Sequence, residues 1–139
     1  MKGIVSYLNF NGNCEEAMTF YGKCLGAELL VHRFSEMPGG NVPPEAQNRI
    51  MHARLSQGPM PVLMASDTMP GMPFQQGNNF WVSVGCDSVE EVNRIFGALN
   101  DNATVRMPLQ ATFFASQFGM LTDKFGINWM LICEPPRQG

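Results

Sequence analysis

Apolar positions along this chain alternate, then recur at helical spacing, then alternate again, and the whole cycle occurs twice. Ile4 to Phe10 is rich in residues that favour pleated structure and predicts a strand. The period then changes, with Ala17, Phe20 and Tyr21 falling on one helix face behind Asn13 and Glu16. A capping residue with an acid three positions later is a helix-start pattern, because the two side chains satisfy backbone N–H groups that have no partner in the first turn. Phe80 to Cys86 predicts a second such strand, Ser88 and Glu91 repeat the helix start, and Val92, Ile95 and Phe96 repeat the apolar face. The acids Glu15, Glu16, Glu90 and Glu91 are thereby read as helix-start charges favoured by the macrodipole rather than as catalytic pairs.

Leu25-Gly26 supplies a stop for the first helix, and the second ends near Leu99-Asn100. Ala27 to His32, Ile50 to Ser56 and Val62 to Ser66 then read as strands in the first half. Ala103 to Met107, Phe118 to Thr122 and Trp129 to Cys133 do so in the second. The predicted order is βαβββ twice, an α+β chain forming a single domain over 1–139. Its first unit covers 1–67, a connector rich in Pro, Gly and Met covers 68–78, and the second unit covers 79–134. Residues 35–48, with Pro38-Gly39-Gly40 and Pro43-Pro44, predict a long loop, a lid or an ornament. Pro135 to Gly139 reads as a frayed tail.

Composition narrows the function classes. At 139 residues, with 45% hydrophobic and 15% charged, the chain suits one globular domain and not a disordered tail. A net charge of −3 with scattered basic residues argues against nucleic acid or an anionic membrane as partner. No apolar run approaches the roughly 18 residues of a membrane span, and the N-terminus shows no signal peptide, so a soluble, cytoplasmic protein is expected. Cys14, Cys24, Cys86 and Cys133 are far apart with no Cys-x-x-Cys pair, which favours reduced thiols over disulfides or zinc. Cys14, in a helix first turn where a thiolate would be stabilised, has no evident His partner and is read first as an inert thiol, a reactive one being the alternative. The 11 Met and 10 Phe suffice for a full core and a lined cavity, with Met51, Met60, Met64, Met69 and Met72 read first as core filling. There is no Gly-x-Ser-x-Gly elbow, P-loop or His-Glu-x-x-His.

Two βαβββ units with Phe20-Tyr21 and Leu25-Gly26 in the first helix resemble the vicinal oxygen chelate superfamily of glyoxalase I, bleomycin-resistance proteins and extradiol dioxygenases. Four segments look like its PhnB-like branch. They are Tyr7-Leu8-Asn9-Phe10-Asn11-Gly12-Asn13-Cys14, Met64-Ala65-Ser66-Asp67, Gln110-Ala111-Thr112-Phe113-Phe114-Ala115, and Thr122-Asp123-Lys124-Phe125-Gly126-Ile127-Asn128-Trp129. The resemblance implies two cupped sheets paired around a cavity, and commonly a homodimer. The branch often carries the label of a 3-demethylubiquinone 3-methyltransferase, but the chain has no glycine-rich nucleotide loop suited to S-adenosylmethionine, so that activity is not carried over.

The superfamily's metal enzymes hold a divalent ion with His and Glu on the first and last strands of the two units. The equivalent positions here fall on Ser6, on Leu63, on Phe80 or Trp81, and on Met130, none of them a competent ligand, so no metal or other cofactor is expected. With those residues in place the cavity becomes mainly apolar, with Ser6, Ser66 and Gln110 as hydrogen-bonding handles and Phe113 and Phe114 on a nearby loop, at the cavity mouth or the dimer seam. The expected function is binding of a modest, partly apolar or aromatic small molecule, by sequestration or through an unassigned reaction. One alternative is a divalent-metal glyoxalase or dioxygenase-type enzyme drawing ligands from Asp67, Glu134, His32 or His52. The other is a structural or interaction dimer with a closed cavity.

Overall fold

The computed structural model describes residues 1–136 and divides the chain into two compact units, Met1–Gln75 and Gln76–Gly139. Both are built the same way. The first runs β1 (Tyr7–Phe10), α1 (Cys14–Leu25), β2 (Glu28–Arg33), β3 (Ile50–Gln57) and β4 (Met60–Asp67). The second runs β5 (Val82–Gly85), α2 (Val89–Leu99), β6 (Thr104–Gln110), β7 (Gln117–Thr122) and β8 (Asn128–Cys133). Each unit forms one four-stranded mixed sheet, in the order β1-β4-β3-β2 and β5-β8-β7-β6. The first and last strands of each unit pair in parallel at the sheet's edge, β1 on β4 and β5 on β8. The other neighbours are antiparallel. This is the α+β fold that the repeated pattern predicts.

Each helix covers one face of its own sheet. In the first unit Ala17, Met18, Tyr21 and Cys24 on α1 are buried with Leu8, Phe10, Ala53, Leu55, Leu63 and Ala65 from the strands. In the second, Val92, Ile95, Phe96 and Leu99 on α2 are buried with Val82, Leu121, Trp129 and Leu131. Close approach is achieved with glycine: a Cβ at Gly119 would stand 2.8 Å from both Phe96 Cε2 and Leu109 Cδ2, so α2 can settle onto β7 only because that Cβ is missing. Since strand side chains alternate, the residues between these core positions project from the opposite face of each sheet, called here the open face.

The two helices start differently. Ser88 behaves as expected, its Oγ accepting from Glu91 N–H at 3.1 Å, while the Glu91 carboxylate accepts from Asp87 N–H at 3.2 Å. Asn13 makes no side-chain cap bond. Asp67, at the end of the neighbouring strand β4 opposite Phe10, caps α1 instead, its Oδ1 accepting from Gly12 N–H at 2.8 Å and Cys14 N–H at 3.0 Å. At the other end Gly26, with φ of 67°, provides the left-handed residue that ends α1.

Boundaries shift at the strand starts. Ile4 to Ser6 lie outside β1, and Phe80 and Trp81 outside β5; Ile4 and Phe80 are exposed. The strand read from Ala103 to Met107 runs on as β6 to Gln110, its last residue. The loop over 35–48 is entered by a short 3-10 turn, Phe34–Glu36, and contains a second, Pro44–Ala46. The base of this loop is tied by Ser35 N–H to the Gln47 carbonyl at 3.1 Å, and Ala46 is fully buried. Of the tail read from Pro135 to Gly139, residues 137–139 lie outside the described residues. Among the described residues no helix is long and apolar enough to cross a membrane.

Candidate functional site

The open face of the first sheet is ordered by its strand register. One row across it is Leu30, Arg54, Met64 and Tyr7, from β2, β3, β4 and β1 in turn. In the next, His32 stands opposite His52, and Ser66 opposite Asn9. Tyr7 reaches over the intervening strand β4: its hydroxyl lies 3.2 Å from His52 Nδ1, and the two rings sit 5.8 Å apart at 30°. Ser66 Oγ donates to Asn9 Oδ1 at 3.4 Å. His32 Nδ1 lies 3.4 Å from the Glu36 carboxylate, which also accepts from Arg33 N–H. These bonds hold the Glu36 carboxyl below its usual range, the Arg33 backbone N–H being the larger cause and His32 the next.

The open face of the second sheet is more apolar. Ser83, Met130 and Met120 form one row across β5, β8 and β7, and Met107 on β6 stands opposite Met120. A second row carries Gly85, Ile132, Phe118 and Gln110. Phe118 meets Phe114 edge to face at 5.2 Å, and Phe114 meets Phe113 the same way at 5.1 Å. Gln110, Phe113 and Phe114, singled out from sequence, therefore do gather at one place, around a Phe118 that was not. Polar groups run along the far end of this face. Arg106 Nε donates to Thr122 Oγ1 at 2.9 Å, Thr122 Oγ1 to Asn128 Oδ1 at 2.7 Å, and Asn128 Nδ2 to the Phe80 carbonyl at 3.4 Å.

Several positions inferred from sequence are corrected by one residue of alternation. Leu63 is 1% exposed and faces α1, so the open-face position on β4 belongs to Met64. Ser6 precedes β1 and engages the sheet through its backbone carbonyl, which accepts from Met64 N–H at 3.0 Å; the open-face side chain is that of Tyr7. Phe80 and Trp81 precede β5, whose open-face residue opposite Met130 is Ser83. Met130 and Ser66 do project from open faces. Tyr7, Asn9, His52, Arg54 and Met64 were legible as a group only once the register was known.

The residues present do not fit a divalent metal of the glyoxalase type. On the parallel strand pairs the paired open-face residues, Tyr7 with Met64, Asn9 with Ser66, Ser83 with Met130 and Gly85 with Ile132, bring no imidazole and no carboxylate, which such a site would require. The cross-strand imidazoles His32 and His52 gain no third ligand: among the described residues no three His, Cys, Asp or Glu side chains come together as an ion would need. Asp67 is removed from candidacy by its own bonds. It is 5% exposed, with Oδ1 on two backbone N–H groups at the start of α1 and Oδ2 on Ile50 N–H at 2.9 Å. Asp123 plays the comparable part in the second unit, accepting from Phe125 N–H, Ile127 N–H and Trp129 Nε1. Glu134 is exposed just beyond β8.

Cys14 is placed where its thiol is held protonated, in line with the inert reading. All four cysteines are buried, and none forms a disulfide. Burial pushes the Cys14 thiol up to about 12, with Asp67 and then Glu15 adding to it, so the helix start that would stabilise a thiolate is outweighed. Burial, followed by the Glu91 charge, raises Cys86 to about 11.

A family model described as 3-demethylubiquinone-9 3-methyltransferase matches residues 2–132. Protein YjdN from Escherichia coli K12 is 39% identical over 136 residues, covering 90% of each chain. Among solved structures, protein PA1353 from Pseudomonas aeruginosa superposes with a TM-score of 0.84 at 44% identity, covering 94% of this chain and 96% of that one. The PhnB protein from Bacillus cereus does so with a TM-score of 0.74 at 28% identity, covering 94% and 98%. A glyoxylase/bleomycin resistance protein/dioxygenase domain from Frankia shares the fold, with a TM-score of 0.63 at 15% identity over 97% and 99%.

Proposed function

Because the chain belongs to the PhnB-like 3-demethylubiquinone-9 3-methyltransferase family, we propose that it is a small-molecule-binding protein that uses its open sheet faces without a glyoxalase-type metal. The observation that carries the reading is the identity of the residues at Tyr7, Met64, Ser83 and Met130. They give thioethers, a phenol and a hydroxyl where metal chemistry would need charged or imidazole donors. Such a surface recognises its ligand by shape, stacking and a few placed hydrogen bonds. The methionines adapt to an irregular apolar outline. Tyr7, Asn9 and Ser66 supply polar handles on one face, and Ser83 and Gln110 on the other. The ligand class these groups suit is a modest molecule with an aromatic or apolar body. Exposed Phe113, at 98%, and Phe114, at 42%, are the residues that the same reading places at a contact with a second copy of the chain.

Native mass spectrometry of gently purified protein, followed by a thermal-shift screen of aromatic and apolar compounds, tests this reading. A retained small molecule or a compound that stabilises the chain supports it. A chain that emerges empty and is stabilised by nothing in a broad set favours the purely structural dimer instead. Stoichiometric divalent metal, restored after chelation together with stability, would put the metal-enzyme reading in its place.

A further inference from the structure

Arg54 is exposed on β3, an interior strand of the first sheet, in a row between Leu30 and Met64 with Tyr7 beyond. Exposure alone leaves a guanidinium satisfied by water; what sets Arg54 apart is its place in the middle of a sheet face, flanked by Leu30, Met64 and Tyr7, with its donors unclaimed by the protein. The other arginines of the described residues each have one. Arg33 pairs with Glu15 at 2.8 Å, and Arg49 donates to Asn11 and to the Thr68 carbonyl. Arg94 faces Glu91 at 3.8 Å, and Arg106 donates to Thr122. Among the described residues, the Arg54 side chain has no hydrogen bond and no ion pair.

The acids near it do not neutralise it. Glu28 shares the open face one row away, opposite Ser56, and makes no ion pair with Arg54. Glu36 is engaged by His32 and by Arg33 N–H. On the side away from Glu28 lie His52, the next open-face residue on β3, and the Tyr7 ring held against it. A guanidinium suits a planar carboxylate because its donors match the two oxygens, and the neighbouring rings offer a flat apolar surface.

We propose that the open face of the first sheet binds a small organic acid, Arg54 holding its carboxylate and the Tyr7–His52 pair supporting its apolar body. This rests on the small-molecule reading above and names the ligand class for one of its two faces. Glu28 fixes the orientation: it repels the acid's carboxylate from its own row, so the body extends toward His52 and Tyr7.

The test compares 2-naphthoate with 2-naphthamide, which share size and shape and differ in charge, by calorimetry on the full chain. The expected result is binding of the naphthoate about tenfold tighter than the amide. Arg54→Gln removes that difference, because the carboxylate loses more than the amide does, and Arg54→Lys keeps part of it. Because Arg54 is exposed and unpartnered, both variants should melt with the wild type, so a loss of binding reports on the contact. Equal affinity for acid and amide, or a difference that survives Arg54→Gln, overturns the acid assignment and leaves the small-molecule reading intact. Binding of neither compound at millimolar concentration overturns the assignment, and a chain that also fails the broad thermal screen overturns the wider reading with it.

Discussion

Asp67, the last residue of β4, caps helix α1 through the backbone N–H of Cys14 at 3.0 Å, linking the end of the first unit to its beginning. The same carboxylate accepts from Gly12 and Ile50, so one buried side chain closes the loop before α1, starts the helix and fixes the start of β3. Asp67→Asn would turn one acceptor oxygen into a donor facing a backbone N–H. It should lower the stability of the chain by about 2–3 kcal/mol, since bonds to an ionised group are the stronger kind and a buried donor is left unpaired. Urea unfolding measures this, and a variant within experimental error of the wild type would contradict the capping role.

Gly119 is a second sensitive point. Adding a methyl there drives into the Phe96 ring and Leu109, each 2.8 Å from the new atom. Gly119→Ala should cost about 1–3 kcal/mol, the usual effect of overpacking a filled core. Shortening the obstructing ring with Phe96→Leu should make the same change cheaper in a double-mutant cycle. Purely additive costs would show that α2 does not rest on β7 as described.

The buried thiols set an alkaline limit. In the unfolded chain they ionise near 9.0, whereas in the folded chain Cys14 holds its proton to about 12 and Cys86 to about 11. The unfolded state therefore binds fewer protons above pH 9, so their contribution to stability is fully present below that pH and falls away between about 9 and 12. Melting temperatures at rising pH should decline over this window, and less steeply in Cys14→Ala than in the wild type. Thiol titration at pH 8 should find Cys14 unreactive until denaturant is added.

The repeat was legible because capping residues and apolar spacing are local. Ser88 with Glu91 and the stripe Val92, Ile95 and Phe96 announce α2 without reference to anything distant. The start of α1 was found for a partly mistaken reason: Asn13 looks like its cap, but the bonds come from Asp67, a relationship the pattern around Asn13 cannot display. The candidate site suffered most from alternation, in which an error of one residue exchanges core for open face. That is how Leu63 came to stand for Met64 and Ser6 for Tyr7. Gln110, Phe113 and Phe114 were noticed through composition, yet what gathers them is Phe118 on a neighbouring strand. Arg54 gave no signal at all, since an arginine in an alternating strand reads as a solvated position.

Ligands seated on the open faces are detected by methyl NMR of protein labelled at its methionines. Met64, Met120 and Met130 project from those faces, Met18 on α1 is fully buried, and Met1 and Met72 are exposed elsewhere. Titration with 2-naphthoate, and with any compound that stabilises the chain, should move the methyl signals of Met64, or of Met120 and Met130, and leave Met18, Met1 and Met72 in place. Saturable shifts confined to Met1 and Met72, or methyls on both open faces that stay still while the ligand binds, would contradict the account.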